Sequence, residues 1–368
     1  MYISSDFSRL EINLDACLEN YRYFRSKLLP STKLLVLVKA NAYGHGAVEF
    51  AGMMEEAGAD YLAVAYPIEG IELRQAGIKA PIMVLTAGTD SFEQIVNYGL
   101  EPGIPNMYSL KVLCNVLEKR GMSGFPIHIK LDTGMHRLGF APSDMPDLIA
   151  RLKRQTAVIP RSVFSHLVGS DSVDFDVFTR KQIETFEKVS DELQAAFSHK
   201  ILRHICNTAG IERYPGAQFD MVRLGLGLYG VNPFTNKMMH NVSTLKTTIL
   251  QIREVPQNET VGYSRKGHLN RDSRIASIPI GYADGLNRRL GNGNAYCLVN
   301  GQKAPYVGNI CMDVCMIDVT DIDCKEGDKV IIFGDDLPVT LLADILGTIP
   351  YEILTSVSNR VKRIYYQD

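Results

Sequence analysis

The chain has 368 residues, of which 46% are apolar and 22% charged, the composition of an ordinary globular protein. Its 39 basic and 41 acidic side chains give a formal net charge of −2, which offers no electrostatic reason for binding nucleic acid or anionic lipid. At about 150 residues per domain, this length predicts roughly two domains.

The N-terminus and the cysteines indicate the compartment. The N-terminal segment MYISSDFSRLEINLD lacks the basic and apolar stretches of a signal peptide, and nowhere do the roughly 18 apolar residues of a membrane helix occur in sequence. The seven cysteines are odd in number and scattered through apolar segments, which is typical of reduced thiols rather than of a disulfide framework. We therefore predict a soluble cytoplasmic protein.

Residues 34–225 alternate between short apolar segments and segments of helical period, which predicts parallel strands with crossover helices. The clearest helix is Phe178–Phe197, where apolar side chains recur every three or four residues. A doubly wound open sheet would give the same alternation, but its Gly-rich dinucleotide fingerprint after the first strand is missing. We therefore expect an α/β fold, a (β/α)8 TIM-type barrel. The candidate strands are Leu34–Val38, Tyr61–Ala65, Ile82–Leu85, Leu100–Gly103, Ile127–Leu131, Val163–His166, Ile201–Ile205 and Met221–Leu224.

After about residue 236 the pattern changes to strands separated by hairpin signals such as Asn300-Gly301. We predict a barrel domain over residues 11–236 and a mainly β C-terminal domain over residues 237–368, with an aperiodic linker at 231–241. Residues 1–10 are expected to form a strand that associates with the C-terminal domain. The candidate C-terminal strands are Thr247–Val255, Arg274–Ile280, Ala295–Val299, Tyr306–Asp318 and Lys329–Phe333.

Lys39 is the first candidate for chemistry, because five apolar residues lead directly to it and a loop with two glycines follows. A lysine at the C-terminal mouth of a buried strand is partly desolvated, which lowers its pKa and makes the amine available as a nucleophile or base. The same spacing also fits a surface lysine at the end of a strand.

Nine collinear segments resemble the alanine racemase family, pyridoxal phosphate (PLP) enzymes built from an N-terminal α/β barrel and a C-terminal β domain. The resemblance spans nearly the whole chain and both predicted domains. The segments are VKANAYGHG (38–46), KLDTGMHRLGF (130–140), SHL (165–167), HICNTAG (204–210), MVRLGLGLYG (221–230), VGYSRKG (261–267), IPIGYADG (278–285), VGNICMDVCMIDVT (307–320) and PYEIL (350–354).

The resemblance implies two bases. Lys39 matches the lysine that forms the Schiff base with PLP and then acts as one base, while Tyr263 matches a tyrosine that the partner subunit of a homodimer places on the opposite face of the substrate. The PLP ring absorbs the electrons left when the Cα proton departs. A tyrosine base needs nearby positive charge to favour its phenolate. His166 and Arg223 are similar to the residues that connect this tyrosine with the cofactor ring.

Arg223 matches an arginine that faces the pyridine nitrogen, where many other PLP enzymes place a carboxylate. An arginine leaves that nitrogen unprotonated, which shortens the life of the carbanion and suppresses transamination. From the residues alone, an arginine at a barrel end that pairs with an acid such as Asp220 is an equal alternative.

The family pattern also implies a phosphate site, whose hydroxyls and close backbone approach suit a dianion. Thr208 stands where the family often has serine, and the glycines at 225 and 227 fit strand-end packing equally well. The implied phosphate ligands are Tyr43, Thr208, the backbone of Gly225 and Leu226, and Tyr351.

Substrate recognition is implied at three further positions. Arg137 resembles the arginine that holds the substrate carboxylate and the cofactor hydroxyl, a role suited to its fixed donor fork. Met312 matches the residue of the other subunit whose backbone N–H meets that carboxylate. Lys130 matches a lysine that some members carry as a carbamate, an anion able to pair with Arg137.

Asn309 departs from the family, which commonly has arginine there, near the substrate entrance. Cys311 and Cys315 are expected to share one face of an alternating strand, where packing is the better interpretation than zinc. No metal is expected, and His45, His128, His136 and His204 lack ligand-like spacing and are interpreted as loop or structural residues.

The leading hypothesis is an alanine racemase that supplies D-alanine for peptidoglycan. A racemase of broader specificity shares every catalytic residue, so the sequence leaves it open. A basic amino-acid decarboxylase of similar design would carry a carboxylate in place of Arg223. A non-catalytic PLP-binding protein would lack the domain that bears Tyr263 and Met312.

Overall fold

The computed structural model describes residues 5–367. Residues 1–4 of the predicted N-terminal strand, and Asp368 at the other end, lie outside the described residues. The chain begins with the strand β1 (Ser5–Asn13) and the helix α1 (Leu14–Ser26). Asn13 ends the strand and caps the helix, because its side chain accepts a hydrogen bond from the backbone N–H of Ala16 at 3.0 Å.

Eight parallel strands follow and form the expected barrel. Their spatial order, β8-β7-β6-β5-β4-β3-β2-β9, places each strand beside its neighbour in sequence, except that β9 returns to β2. Each of the predicted strands is present, with ends shifted by a few residues. The strands are β2 (Lys33–Leu37), β3 (Tyr61–Val64), β4 (Ile82–Val84), β5 (Glu101–Ile104), β6 (Phe125–Lys130), β7 (Val158–Phe164), β8 (Leu202–His204) and β9 (Met221–Leu224).

The barrel is nearly rather than fully closed. No regular ladder joins β8 to β9 in the described chain, but backbone hydrogen bonds from Asp220 to Arg203 (3.1 Å) and from Arg223 to Cys206 (3.0 Å) bring the two strands together. The carboxyl ends of all eight strands therefore share one face, where a barrel assembles its site.

Helices cover the outside of the barrel and pack their apolar faces against the strands. On the longest of them Phe186, Val189 and Leu193 are buried, as the apolar period predicts. The helical segments are α2 (Lys39–Tyr43), a single left-handed turn, α3 (Ala47–Glu56), α4 (Pro67–Gln75), α5 (Phe92–Asn97), α6 (Met107–Lys119), α7 (Met145–Lys153), α8 (Asp176–Ala195) and α9 (Thr208–Arg213).

The segment predicted as an aperiodic linker is partly regular. Within residues 231–241 the strands β10 (Val231–Asn232) and β11 (Lys237–Met238) form a short antiparallel hairpin. Its turn is made by Asn232, whose side chain accepts the backbone N–H groups of Phe234 and Thr235 at 3.0 Å each.

The rest of the chain is mainly β, as expected. Eight of its strands join β1 in one nine-stranded sheet of order β13-β16-β19-β18-β17-β20-β12-β1-β21. β1 thus lies between two strands of the C-terminal part. The strands are β12 (Ser243–Thr248), β13 (Gln251–Val255), β14 (Thr260–Val261), β15 (Gly267–His268), β16 (Ser273–Ile278), β17 (Tyr296–Val299), β18 (Gln302–Val307), β19 (Cys315–Asp318), β20 (Lys329–Phe333) and, after two helices, β21 (Val361–Tyr366).

Two predicted C-terminal strands are each broken into two. The segment 247–255 changes partner at residues 249–250, since β12 pairs with β20 whereas β13 pairs with β16. The segment 306–318 is interrupted after Val307, where Gly308 turns the chain with φ 68°. Cys311 therefore lies in a loop, and the expectation that it shares a strand face with Cys315 is wrong.

Two short helices, α10 (Val339–Leu346) and α11 (Pro350–Ser356), precede the last strand. Neither helix was predicted from the sequence. α11 packs against α2 and so brings Tyr351 to the carboxyl face of the barrel. Across residues 5–367, no helix is both long and apolar enough to cross a membrane.

Candidate active site

A single residue separates Lys39 from the end of β2, and Lys39 begins an unusual left-handed turn. The next four residues, Ala40 to Tyr43, have φ values of 52°, 53°, 49° and 52°, although none of them is glycine. For such residues a left-handed conformation costs about 1–2 kcal/mol each. The surrounding structure must therefore hold this turn in place.

Contacts from the C-terminal part of the chain hold the turn. Nε and Nη2 of the half-buried Arg363 side chain donate to the carbonyl of Gly44 at 3.0 and 2.9 Å, and the Tyr365 hydroxyl donates to the carbonyl of His45 at 2.9 Å. Nδ1 of His45 lies 3.0 Å from the carbonyl oxygens of both Ala42 and Tyr43. Because carbonyl oxygens only accept, Nδ1 carries the proton of this ring.

Lys39 lines two adjoining cavities of about 440 Å³ each at the carboxyl face of the barrel. The first extends to the predicted phosphate ligands, and the second extends to Lys130. Both cavities are bounded by Leu37, Lys39, Arg137, His166 and Arg223.

Positive charge dominates this site. Burial and the neighbouring Arg137 lower the pKa of Lys39, and burial together with Arg137 and Arg223 lowers the pKa of Lys130 to about 8. Burial and Arg223 also hold the pKa of His166 well below its usual range, so this imidazole is neutral. The site therefore favours anionic ligands and neutral amines.

Arg223 is almost completely buried on β9, with 3% of its surface exposed. Its Nη2 donates to the carbonyls of Ser165 at 2.6 Å and Ile205 at 2.9 Å, and lies 3.4 Å from Nδ1 of His166. Within the described chain no carboxylate pairs with Arg223 and no protein group accepts from its Nε–H. The alternative partner Asp220 instead pairs with Lys200 at 2.8 Å and lies 3.6 Å from Arg203.

The predicted phosphate ligands line the first cavity, where hydroxyl groups lie close to the backbone. The backbone N–H of Gly225 donates to Oγ1 of Thr208 at 2.9 Å, and a Cβ at Gly225 would come within 2.9 Å of the Tyr43 hydroxyl. The ring of Tyr351 lies 5.7 Å from that of Tyr43. Leu226 is buried at the start of a 3₁₀ turn that begins directly after Gly225.

Arg137 is exposed at the edge of both cavities, on the loop after β6. Asp132 shapes this loop, because its Oδ1 accepts the backbone N–H groups of Gly134, Met135 and His136 at 2.9, 3.0 and 3.1 Å. These bonds lower the pKa of the Asp132 carboxyl, although burial opposes them.

Tyr263 and Met312 lie away from both cavities. They are 71% and 53% exposed on the C-terminal part of the chain. Asn309 lies beside Tyr263 and donates through Nδ2 to its carbonyl at 3.1 Å. Within one subunit, the structure brings together the predicted barrel residues and Tyr351, but not these two side chains.

Three polar residues of the barrel interior, two of them fully buried and the third with 13% of its side chain exposed, were not singled out by sequence reasoning. Glu101 was not considered, and His128 and His204 were interpreted only as structural or loop residues. The available signal was their position inside apolar strands, where a polar side chain needs a partner.

Among the described residues, no three His, Cys, Asp or Glu side chains gather in a way that could hold a metal ion.

Two family models match this chain. The alanine racemase N-terminal domain matches residues 12–233, and the alanine racemase C-terminal domain matches residues 242–365. Alanine racemase 2 of Caldanaerobacter subterraneus is 38% identical, over 97% of this chain and 94% of the relative. The alanine racemase of Methanococcus maripaludis is 37% identical, over 96% of this chain and 97% of the relative.

Solved structures agree with these relatives. The alanine racemase of Clostridium difficile 630 superposes with a TM-score of 0.93 at 34% identity, covering 99% of this chain and 97% of the other. The alanine racemase of Bartonella henselae, solved with covalently bound pyridoxal phosphate, superposes with a TM-score of 0.89 at 30% identity, covering 98% and 100%. From its barrel, its C-terminal sheet and these matches over nearly its whole length, the chain belongs to the alanine racemase family.

Proposed function

We propose that the chain is a PLP-dependent isomerase that interconverts L-alanine and D-alanine. The observation that carries the proposal is that Lys39 and the buried Arg223 face the same cavities, with no carboxylate paired to Arg223 among the described residues. Membership of the family and the PLP bound to the relative from Bartonella henselae support it.

The residues present fit PLP. Arg223 has a free Nε–H for an acceptor nitrogen, and the cradle at Gly225 has room that a Cβ would fill. In this proposal Lys39 would hold the cofactor through its amine, and His166 would contact the ring. Its phosphate is held by Tyr43, Thr208, the backbone of Gly225 and Leu226, and Tyr351.

When bound, PLP takes up the electrons left by the departing Cα proton of the amino acid. Lys39 accepts or returns that proton through Nζ on one face of the substrate. Its lowered pKa suits this task, because the amine is neutral more often than an exposed lysine would be. Arg223 would donate to the ring nitrogen and, being a cation, would disfavour its protonation.

Tyr263 supplies the second base in our proposal. Its 71% exposure and its distance from the cavities of its own subunit fit a side chain that enters the site of a partner copy. Met312, on the same surface, would offer its backbone N–H to the substrate carboxylate, and Arg137 would hold that carboxylate from the barrel side. The active unit is then a homodimer with two composite sites.

Lys130 is proposed to react with CO2 and become a carbamate. With a pKa of about 8, a useful fraction of this amine is neutral near physiological pH, which the reaction requires. The product is an anion among Lys39, Arg137 and Arg223, where it would relieve their mutual repulsion.

We further propose a division into the barrel domain (11–236) and the C-terminal domain (237–368), with the strand of residues 1–10 assigned to the latter. The placement of β1 between β12 and β21 supports this assignment.

We also propose that the protein is a cytoplasmic enzyme that supplies D-alanine for peptidoglycan. Its seven unpaired cysteines support this location, because thiols stay reduced in the cytoplasm.

The decisive experiment follows the optical rotation of L-alanine with purified protein and added PLP. We expect the rotation to decay to zero while total alanine stays constant. A constant rotation from a protein that shows the visible absorption of bound PLP would contradict alanine as the substrate, and other amino acids would then be assayed in the same way.

A further inference from the structure

A continuous chain of hydrogen bonds crosses the barrel interior below the proposed cofactor site. It begins at Glu101, at the amino end of β5, where Oε2 lies 2.9 Å from Nε2 of His128. Nδ1 of His128 is 2.6 Å from Oγ of Ser162, which is 2.9 Å from Nε2 of His204. Nδ1 of His204 lies 2.9 Å from Nη1 of Arg223. We call these five residues the interior chain.

Strand register builds this chain. His128 of β6 lies directly beside Ser162 of β7, and Phe164 of β7 lies directly beside His204 of β8. The Phe164 ring stacks on His204 with centroids 5.2 Å apart, and the Arg223 guanidinium lies 5.7 Å from the same ring. The two imidazoles are therefore enclosed, and water has little chance to replace their bonds.

The two ends of the interior chain set the direction of every bond in it. A guanidinium donates only, so Nδ1 of His204 accepts and the proton of this ring is on Nε2, directed at Ser162. The Ser162 hydroxyl then donates to Nδ1 of His128. The remaining proton of His128 is on Nε2 and points at the Glu101 carboxylate, which accepts only.

We propose that this directed chain positions Arg223 for the cofactor. Its positioning residues are Glu101, His128, Ser162 and His204. His204, the last of them, accepts from Nη1 through Nδ1 and through its own carbonyl at 3.2 Å, while the carbonyls of Ser165 and Ile205 occupy Nη2, so the free Nε–H is left to face the site. The distant Glu101 is the anion that ends the chain, in place of a carboxylate beside Arg223.

This inference deepens the proposed function, because it rests on the assignment of Arg223 to the ring nitrogen, but the direction of the chain can be measured without any activity. In protein labelled with 15N-histidine, long-range 1H–15N spectra should show His128 and His204 as neutral rings protonated on Nε2, as purified and after PLP is removed. A proton on Nδ1 of His204, or a charged ring at either position, would overturn the proposed direction.

Two variants test whether the chain acts on Arg223. Ser162→Ala breaks the chain, whereas Glu101→Gln keeps an acceptor and removes the charge. Ser190→Ala is the matched control, because Ser190 is equally buried but bonds only to the carbonyl of Glu187 on α8. We expect kcat to fall roughly tenfold for Ser162→Ala, less for Glu101→Gln, and not at all for the control.

The second readout separates positioning from general stability. If Arg223 is held less firmly at the ring nitrogen, more turnovers should end in transamination, in which alanine and PLP give pyruvate and pyridoxamine phosphate. We expect the ratio of pyruvate formed to alanine racemised to rise severalfold in Ser162→Ala. A ratio equal to that of Ser190→Ala in both variants would refute the positioning role. Absence of racemisation in the unaltered protein, with the expected histidine spectra, would instead count against the proposed function.

Discussion

At the scale of single residues, the environment of Lys39 explains why this lysine, among many, is the reactive candidate. Its side chain is half-buried among other cations, and both burial and Arg137 lower its pKa. Lys33, at the other end of the same strand, has 42% of its side chain exposed and pairs with Asp60 at 3.0 Å. Position at the carboxyl end of the strand thus separates a reactive amine from a solvated one.

Lys39→Ala is therefore expected to abolish both racemisation and the visible absorption band of covalently bound PLP, since Lys39 is the only lysine, among the described residues, that lines the cavity with the proposed phosphate ligands. The matched control is Lys33→Ala, which should keep both. Absorption spectra and the optical rotation assay measure the two effects. A Lys39→Ala protein that retained the band would show that another lysine binds the cofactor.

The lowered pKa of Lys130 predicts a pH-dependent modification. Because a neutral amine is required, carbamate formation should increase as the pH rises through about 8, where this amine loses its proton. Protein equilibrated with 13C-bicarbonate should give a carbamate signal by 13C NMR. The signal should be stronger at about pH 8.5 than at about pH 7, because these values lie on either side of that pKa. The signal should be absent from Lys130→Met, and an identical spectrum from the variant would contradict the assignment.

At the scale of elements, the left-handed turn α2 is the feature that depends most on its surroundings. A Cβ at Gly46 would come within 1.8 Å of the Tyr365 hydroxyl, so the turn and β21 fit together closely. His45 adds a second connection, because its Nε2 accepts from the Ser243 hydroxyl of β12 at 3.0 Å. Lys39, which begins the turn, is therefore positioned by strands that are distant in sequence.

Loss of one such contact should loosen the turn. Tyr365→Phe removes the hydrogen bond to the carbonyl of His45 and is expected to lower the free energy of unfolding by roughly 1 kcal/mol. It should also speed hydrogen exchange of the backbone amides in residues 40–46. Tyr366→Phe is the control, because that neighbouring side chain is 40% exposed. Equal exchange rates in the two variants would show that Tyr365 does not hold the turn.

At the scale of the whole molecule, the question is whether each site is shared between two copies. The barrel supplies Lys39, whereas Tyr263 and Met312 project from the C-terminal part without reaching the cavities of their own subunit. Tyr282 and Ile349, on the same part of the chain, are 45% and 57% exposed. An exposed surface of this kind fits a symmetric dimer in which two sites form together.

Mixing two inactive variants tests this arrangement. When equal amounts of Lys39→Ala and Tyr263→Phe are dissociated and reassembled together, half of the dimers are mixed and each mixed dimer holds one intact composite site. Activity should therefore return to about one quarter of that of the unaltered protein. If Tyr263 acted within its own subunit, no intact site could form and no activity would return.

Much of the fold was predictable because its signals are local. Alternation of apolar strands with helical segments depends on periods of two and 3.6 residues, which can be read along the chain, and the predicted barrel strands and mainly β C-terminal part are confirmed. The helices α10 and α11 were missed because they are short and stand among strands. The partner change after β12 was missed because the choice of a neighbouring strand is not a local property.

By itself, the sequence determined the family, through motifs whose order and spacing can be compared directly, and it named the residues that now line the cavities around Lys39. The tertiary structure decided how those residues are held. The left-handed turn contains no glycine before Gly44, so tertiary contacts, among them those from β21 and β12, are needed to hold it. The interior chain likewise forms only because strand register brings side chains of β5 to β9 together inside the barrel. Local sequence patterns do not predict which residues of different strands lie within hydrogen-bond distance.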